Sequence, residues 1–353
     1  MQTQDIILST NLEESIGQAL RKCPHDKLFI LTDENTRREC LPVLSGFADL
    51  QQAECIAIGA TDEHKTPESL MAVWSALSTR GGTRHSLLLN LGGGMITDLG
   101  GFAASTFKRG ISYINIPTTL LAMVDAAVGG KTGINFNGLK NEVGVFAPAS
   151  SVLLDTTFLK TLDSENLCSG YAEMLKHGLI STEAHRAELL RFDLNRIDYG
   201  QLQELVARSV AIKERVVHED PYEKGIRKAL NLGHTAGHAI ESLALAEGRT
   251  VLHGYAVAWG LVCELYLSCV REGFPTEKLH QTVHFVKENY GVFAFDCRQY
   301  EQLYEYMTHD KKNTAGSVNF TLLGDTGDIR INRTASRQEI FNMLDFYREA
   351  MGC

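Results

Sequence analysis

In the first third of the chain, short apolar runs alternate with stretches whose apolar positions recur every three or four residues. "KLFILTD" (27–33), "ECIAIG" (54–59), "HSLLLNLGGG" (85–94) and "ISYINIP" (111–117) are such runs, each closed by turn residues. Runs of this length predict strands buried in a sheet. Between them, "PESLMAVWSALSTRG" puts Leu70, Val73, Trp74 and Leu77 on one helix face. Strand–helix alternation predicts a mostly parallel sheet covered on both sides, with ligands bound at the carboxyl ends of its strands.

From about Phe158 the pattern changes. "LCSGYAEMLKHGLIS", "YGQLQELVARSVAIKERVVHED", "HTAGHAIESLALAEG", "GYAVAWGLVCELYLSCVREG" and "SRQEIFNMLDFYREAMG" all favour helix, and only "SVNFTLLGD" reads clearly as strand. The expected organisation is an α/β N-terminal domain, residues 1–157, with a mostly parallel nucleotide-binding sheet. A mainly α-helical C-terminal domain, residues 158–353, follows it. No repeat, low-complexity tract or long linker intervenes, so the two are expected to pack around a shared cleft.

Composition narrows the function classes. The 353 residues are 44% hydrophobic and 22% charged, with a formal net charge of −9. That balance suits a globular enzyme and argues against nonspecific nucleic-acid binding or an anionic membrane surface. An acidic chain can still hold a phosphorylated substrate where its basic residues converge. The cysteines (Cys23, Cys40, Cys55, Cys168, Cys263, Cys269, Cys297 and Cys353) form no C-x-x-C pair, so neither a disulfide framework nor a thiolate zinc cluster is expected. The start, MQTQDIILSTNLEESIG, has no basic-then-apolar secretory pattern, and Asp125 and glycines interrupt the apolar stretch "IPTTLLAMVDAAVGG". Cytoplasmic residence is the expectation.

Four stretches could carry chemistry. In "NLGGGMITDLGG", Gly92, Gly93 and Gly94 stand between a predicted strand and helix. Glycines there admit a pyrophosphate against helix-terminal N–H groups, but a tight turn explains them equally well. Asp33, with Asn35, is a candidate for ribose hydroxyls. The segment 117–144, "PTTLLAMVDAAVGGKTGINFNGLKNEVG", looks too broken by glycines for a long regular element, yet carries Asp125, Lys131, Lys140 and Asn141. Two lysines among glycines suggest an oxyanion cradle, and the interleaved apolar residues argue against full exposure. In "GYAEMLKHGL", the i, i+3 spacing of Glu173 and Lys176 alone reads as an exposed ion pair, and His177 as an ordinary helix histidine. Finally, "AIKERVVHEDPYEKGIRKALNLGHTAGHAIE" and "VLHGYAVAWG" supply Lys213, Glu223, Arg227, Asn231, His234, His238 and His253. By spacing alone His234 and His238 form the metal pair, with His253 a third candidate and Glu173 a carboxylate ligand. For each histidine taken singly, a hydrogen-bonded core residue is the competing reading.

Taken in order, "GGGMITDLGGF", "KRGISYINIPTTLLAMVDAAVGGKTGIN", "LKNEVGVF", "GYAEMLKHGL", "LNLGHTAGHAIE", "LHGYAVAWG" and "DKKN" resemble the 3-dehydroquinate synthase family across nearly the whole chain. The resemblance implies NAD in the N-terminal domain and a divalent metal, Zn2+ or Co2+, held by Glu173, His234 and His253, with His238 facing substrate. It implies ribose contacts at Asp33 and Asn35 and a pyrophosphate loop at Gly93, Gly94 and Asp98. Further NAD positions are Thr118, Thr119, Leu121, Phe158, Thr161 and Lys65, where the family's usual Glu three residues earlier is the shorter Asp62. Substrate positions are Asp125, Lys131, Asn141, Lys176, Lys213, Arg227, Asn231, His238 and Lys311, the last sharing its motif with Lys312. Lys131 and Lys140 fall among the NAD and phosphate contacts, and Glu223 orients charged groups. Arg109 is implied to reach the phosphate of a neighbouring subunit in a homodimer. The family often has Ser in the stretch that reads here Asp125-Ala126-Ala127.

The implied reaction converts 3-deoxy-D-arabino-heptulosonate 7-phosphate to 3-dehydroquinate and phosphate, in the shikimate pathway. The sugar acid is transiently oxidised with NAD, loses phosphate, is reduced again, and closes by intramolecular aldol addition. The departing phosphate serves as its own base. Competing readings are a metal- and NAD-dependent alcohol dehydrogenase of the glycerol-dehydrogenase type, another sugar-phosphate cyclase, and a noncatalytic NAD-binding regulator. The Lys131, Lys213, Arg227 and Lys311 cluster argues against the first, the retained substrate positions against the second, and the complete ligand set against the third.

Overall fold

The computed structural model describes residues 4–308 and 318–353. The chain gathers into two compact units: Met1–Asp163 with Tyr199–Val210, and Ser164–Asp198 with Ala211–Cys353.

The first unit is built on β1 (Asp5–Leu8), β2 (Leu28–Asp33), β3 (Glu54–Ile58), β4 (Leu87–Gly92), β5 (Ser112–Pro117) and β8 (Ser151–Leu154). They form one sheet in the order β1-β8-β5-β4-β2-β3, and every pairing is parallel. The apolar runs land where periodicity places them. β2 and β4 are buried along their whole length, whereas β3, the sheet's edge, alternates buried and exposed residues. An edge strand has one open flank, so its run needs less apolar cover than a central strand. The helices of this unit include α1 (Leu12–Lys22), α2 (Glu34–Glu39), α3 (Pro67–Thr79) and α4 (Gly94–Thr106). Each follows a strand as a parallel crossover requires.

The segment 117–144 departs from expectation. It is not irregular: after a turn of π-helix at Ala122–Ala126 it forms a hairpin of β6 (Lys131–Phe136) and β7 (Leu139–Phe146). Nor is its second half shielded, since every residue of β7 is exposed, Leu139 at 53% and Phe146 at 48%. A two-stranded ribbon needs only backbone pairing and a tight turn, supplied here by Asn137 and Gly138 with φ of 51° and 78°.

The second unit is mainly helical: α5 (Ser164–Leu179), α6 (Glu183–Arg191), α8 (His234–Ala246), α9 (His253–Glu272), α10 (Thr276–Tyr290), α11 (Tyr300–Thr308) and α12 (Arg337–Met351). Helix α7 (Tyr199–Glu219) belongs to the first unit through Val210 and to the second from Ala211. One antiparallel ribbon, β9 (Asn319–Asp325) with β10 (Asp328–Thr334), adds a strand the sequence pattern does not signal. Glycines set the helix spacing. A Cβ on Gly260 would lie 1.9 Å from the Gly233 carbonyl, and one on Gly254 1.8 Å from the Ser169 carbonyl. Backbones this close set the start of α8 against α9 and the start of α9 against α5. Among the described residues no helix is long and apolar enough to cross a membrane.

Candidate active site

In the first unit the candidates collect at the carboxyl ends of the strands. Asp33 ends β2 and caps α2, its Oδ1 accepting the Thr36 N–H at 2.8 Å, while Asn35 Oδ1 accepts from Arg38 at 3.3 Å. After β4, Gly93 is the N-cap of α4 with no side-chain cap. The turn is crowded: a Cβ on Gly93 would lie 3.1 Å from Thr119, and one on Gly94 3.2 Å from Ala126. An α-helix N-terminus presented through bare glycine backbone is suited to a phosphate anion. Thr118 donates its N–H to the Gly92 carbonyl at 3.0 Å, tying the end of β5 to this turn. Asp125 lies half-buried in the π-turn with Leu121 half-buried just before it, Phe158 is buried, and the Thr161 hydroxyl donates to the Phe158 carbonyl at 3.3 Å. Lys131 and Lys140 are exposed on the hairpin.

Lys65 is 4% exposed, and its Nζ donates to Asp98 and to Asn141 Oδ1, each at 2.5 Å. A buried ammonium needs such partners. Three residues far apart in sequence are thereby brought into one network. Arg109 is exposed at a bend where Lys108, Arg109 and Gly110 take φ of 49°, 73° and 113°.

In the second unit, Glu173 and Lys176 are an ion pair, but not the exposed one their spacing suggests. Glu173 is 0% and Lys176 1% exposed. Spacing cannot distinguish the cases; packing decides. Glu173 Oε1 lies 3.5 Å from His234 Nε2 and 3.7 Å from His253 Nε2 and has no hydrogen-bond partner. His234 Nδ1 sits 3.1 Å from the Leu232 carbonyl. A carbonyl only accepts, so Nδ1 carries a hydrogen, and Nε2 is the atom that faces Glu173. His253 Nδ1 meets Glu241 Oε2 at 3.3 Å. Burial opposes the charge on Glu173, yet Lys176 and His253 hold its carboxyl well below the usual carboxylate range. Burial opposes a charge on His253 too, but Glu173 and Glu241 push its imidazole up to about 10. His238 joins the cluster: one nitrogen from each of His234, His238 and His253 lies within 4.8 Å of the others.

These residues fit a divalent cation. A buried, ionised oxygen without a donor is costly, and a cation would satisfy it. Donors about 2 Å from a tetrahedral ion sit roughly 3.3 Å from one another, close to the observed separations.

The second unit also holds two buried cationic side chains among the candidates. Lys213 and Arg227 are 5% and 3% exposed. The Asp220 carboxylate accepts the N–H groups of Lys224, Gly225 and Arg227, and Arg227 donates Nη1 to the Pro221 carbonyl at 2.6 Å. Asn231 donates to Glu223 Oε1 at 2.8 Å, and Glu223 holds a φ of 60°. Lys311 and Lys312 lie outside the described residues.

Four positioning groups receive no role in a reading by motif. Glu241 holds His253, Asp220 shapes the Arg227 loop, and Asn135 serves the hairpin. Glu264 is 0% exposed and accepts the N–H groups of Gly233 at 2.7 Å and Ala236 at 3.1 Å, capping the helix that begins with His234. A signal for Glu264 existed: a single carboxylate inside the apolar run "AWGLVCELYL" must be paired when buried. Because the His253 pair is partly open, Glu241→Gln is expected to weaken zinc retention by about tenfold or more, read by dialysis against graded chelator. Unchanged retention would remove Glu241 from the site.

Residues 55–169 match the 3-dehydroquinate synthase N-terminal family and residues 170–313 the 3-dehydroquinate synthase C-terminal family. A 3-dehydroquinate synthase of Parabacteroides distasonis is 55% identical over 352 residues, covering 100% of both chains. Among solved structures, the 2-epi-5-epi-valiolone synthase of Streptomyces hygroscopicus, with NAD+ and Zn2+ bound, superposes with a TM-score of 0.85 at 26% identity, covering 98% of this chain and 97% of that one. A 2-deoxy-scyllo-inosose synthase complexed with carbaglucose-6-phosphate, NAD+ and Co2+ gives a TM-score of 0.84 at 22% identity, covering 98% and 96%, a likeness of fold. With both parts of the chain matched and a full-length relative more than half identical, the chain belongs to the 3-dehydroquinate synthase family.

Proposed function

We propose that this chain converts 3-deoxy-D-arabino-heptulosonate 7-phosphate to 3-dehydroquinate and inorganic phosphate, a phosphate-eliminating lyase step of the shikimate route to aromatic amino acids. The observation that carries the reading is the buried Glu173 oxygen facing two imidazole nitrogens beside Lys176, in a chain of this family. Glu173, His234 and His253 hold the divalent ion, zinc or cobalt. Asp33, Asn35, Asp62, Lys65, Gly93, Gly94, Asp98, Thr118, Thr119, Leu121, Lys140, Phe158 and Thr161 hold NAD, as the bound cofactors of structural neighbours support. When bound, NAD supplies the hydride acceptor and donor, and the ion polarises the reacting oxygen.

The chain's own residues bind and orient. Buried Arg227 and Lys213 offer charge already stripped of water, so a phosphate or carboxylate meets them at little further desolvation cost. The Asp220 loop fixes the Arg227 backbone, which spares the arginine part of the ordering entropy on binding. Asp125, Lys131 and Asn141 in the first unit and Lys176, Asn231 and His238 in the second complete the substrate positions, with Glu223 orienting Asn231. Lys311 or Lys312 adds a further cation. The enzyme acts as a cytoplasmic homodimer, in which Arg109, exposed on its left-handed bend, serves the neighbouring subunit's phosphate.

Purified protein given the heptulosonate phosphate, NAD and Zn2+ is expected to release phosphate and dehydroquinate in equal amounts with no net NADH. Absence of phosphate release overturns the reading. Steady NADH formation from a polyol instead would favour an alcohol dehydrogenase.

A further inference from the structure

Asn135 stands at a break in the hairpin ladder. Pairing runs to Ile134↔Val143 and resumes at Phe136↔Leu139 after a register shift. Between these pairs β6 has only Asn135 while β7 has residues 140–142, so Asn135 falls outside the register and its groups can be aimed elsewhere. The backbone N–H of Asn135 donates to the Lys65 carbonyl at 2.8 Å. Its Nδ2 donates to the Asp62 carbonyl and to Asp62 Oδ2, both at 3.2 Å. Its Oδ1 accepts the Asn141 N–H at 2.9 Å. The partners settle which way the amide points, because those Asp62 oxygens accept and the Asn141 N–H donates. The circle closes through Lys65, whose Nζ donates to Asn141 Oδ1. Asn141 is held at a φ of 51°, a left-handed conformation that its neighbours must maintain.

We propose that Asn135 is a positioning residue that couples the dinucleotide contacts Asp62 and Lys65 to the substrate contact Asn141. The inference rests on the function proposed above and adds how two binding events on this unit share one support. The two ends of the amide have separate tasks: the NH2 group holds Asp62, and the carbonyl oxygen holds the Asn141 backbone.

Asn135→Asp separates the tasks. It keeps an acceptor for the Asn141 N–H and sets a second anionic oxygen against the Asp62 carboxylate. NAD affinity, measured by calorimetry on the full chain, is expected to fall at least about tenfold, while substrate KM at saturating NAD stays within about twofold. Asn135→Ala removes both ends, and both quantities are expected to worsen together by about tenfold. The coupling is overturned if Asn135→Asp leaves NAD affinity unchanged or shifts it in step with substrate KM. A wild-type protein that binds no NAD in the same titration overturns the proposed function itself, and the inference with it.

Discussion

Glu173→Ala is expected to emerge from purification without its divalent ion and to lose at least about a thousandfold in turnover. Glu173 is fully buried, and its Oε1 faces the Nε2 atoms of His234 and His253. Removing the carboxylate takes away the anionic donor and the charge that balances Lys176. The second loss complicates the variant, because Lys176, 1% exposed, becomes a buried ammonium without its partner. Such a group costs roughly 3–5 kcal/mol of stability. Glu173→Ala combined with Lys176→Met separates the two effects. With neither charge present, the double variant is expected to unfold near the wild-type temperature and still retain no metal, as read by atomic emission after gel filtration. Zinc bound at wild-type stoichiometry in either variant would remove Glu173 from the ligand set.

Gly260→Ala carries the second large effect. A Cβ there would lie 1.9 Å from the Gly233 carbonyl oxygen and 2.7 Å from the Gly237 nitrogen. Both neighbours are backbone, so no side chain can swing aside, and α8 must retreat from α9. The expected cost is about 3 kcal/mol, with a clear drop in the thermal midpoint. Zinc retention should weaken as well, because Gly233 directly precedes His234 and donates its N–H to Glu264. Gly46→Ala is the control: nothing lies within 4 Å of its Cβ, and its effect should stay within about 0.5 kcal/mol. Equal midpoints for the two variants would show that the close approach is not real.

How much of this was readable in advance depended on whether a pattern repeats or a contact is made once. β2, β4 and β5 announced themselves because a strand inside a parallel sheet must be apolar on both faces. β1 and β8 did not, since four residues, "DIIL" and "SVLL", are too short to display a period. The β6–β7 hairpin was hidden for another reason. Its second strand is exposed along its whole length, so no buried face imposed an alternation on it. At the site, residue types were legible and their states were not. Glu173 and Lys176 have the same i, i+3 spacing whether dry or solvated. Glu264 belongs to no motif and Asn135 only ends one, and their roles exist only through partners elsewhere in the chain, Gly233 and Asp62.

By itself the sequence determined strands β2 to β5 with the helices between them, the mainly helical second half, the glycine turn that opens α4, and the residue types of the candidate site. These follow from local rules, because periodicity and backbone freedom act between near neighbours in the chain. Tertiary structure alone decided that Glu173 is dry, that His234 presents Nε2 to it, and that Asn135 reaches both Asp62 and Asn141. Burial and hydrogen-bond partnership are set by segments far apart in sequence, and a charge acquires its chemistry only when those segments exclude water around it.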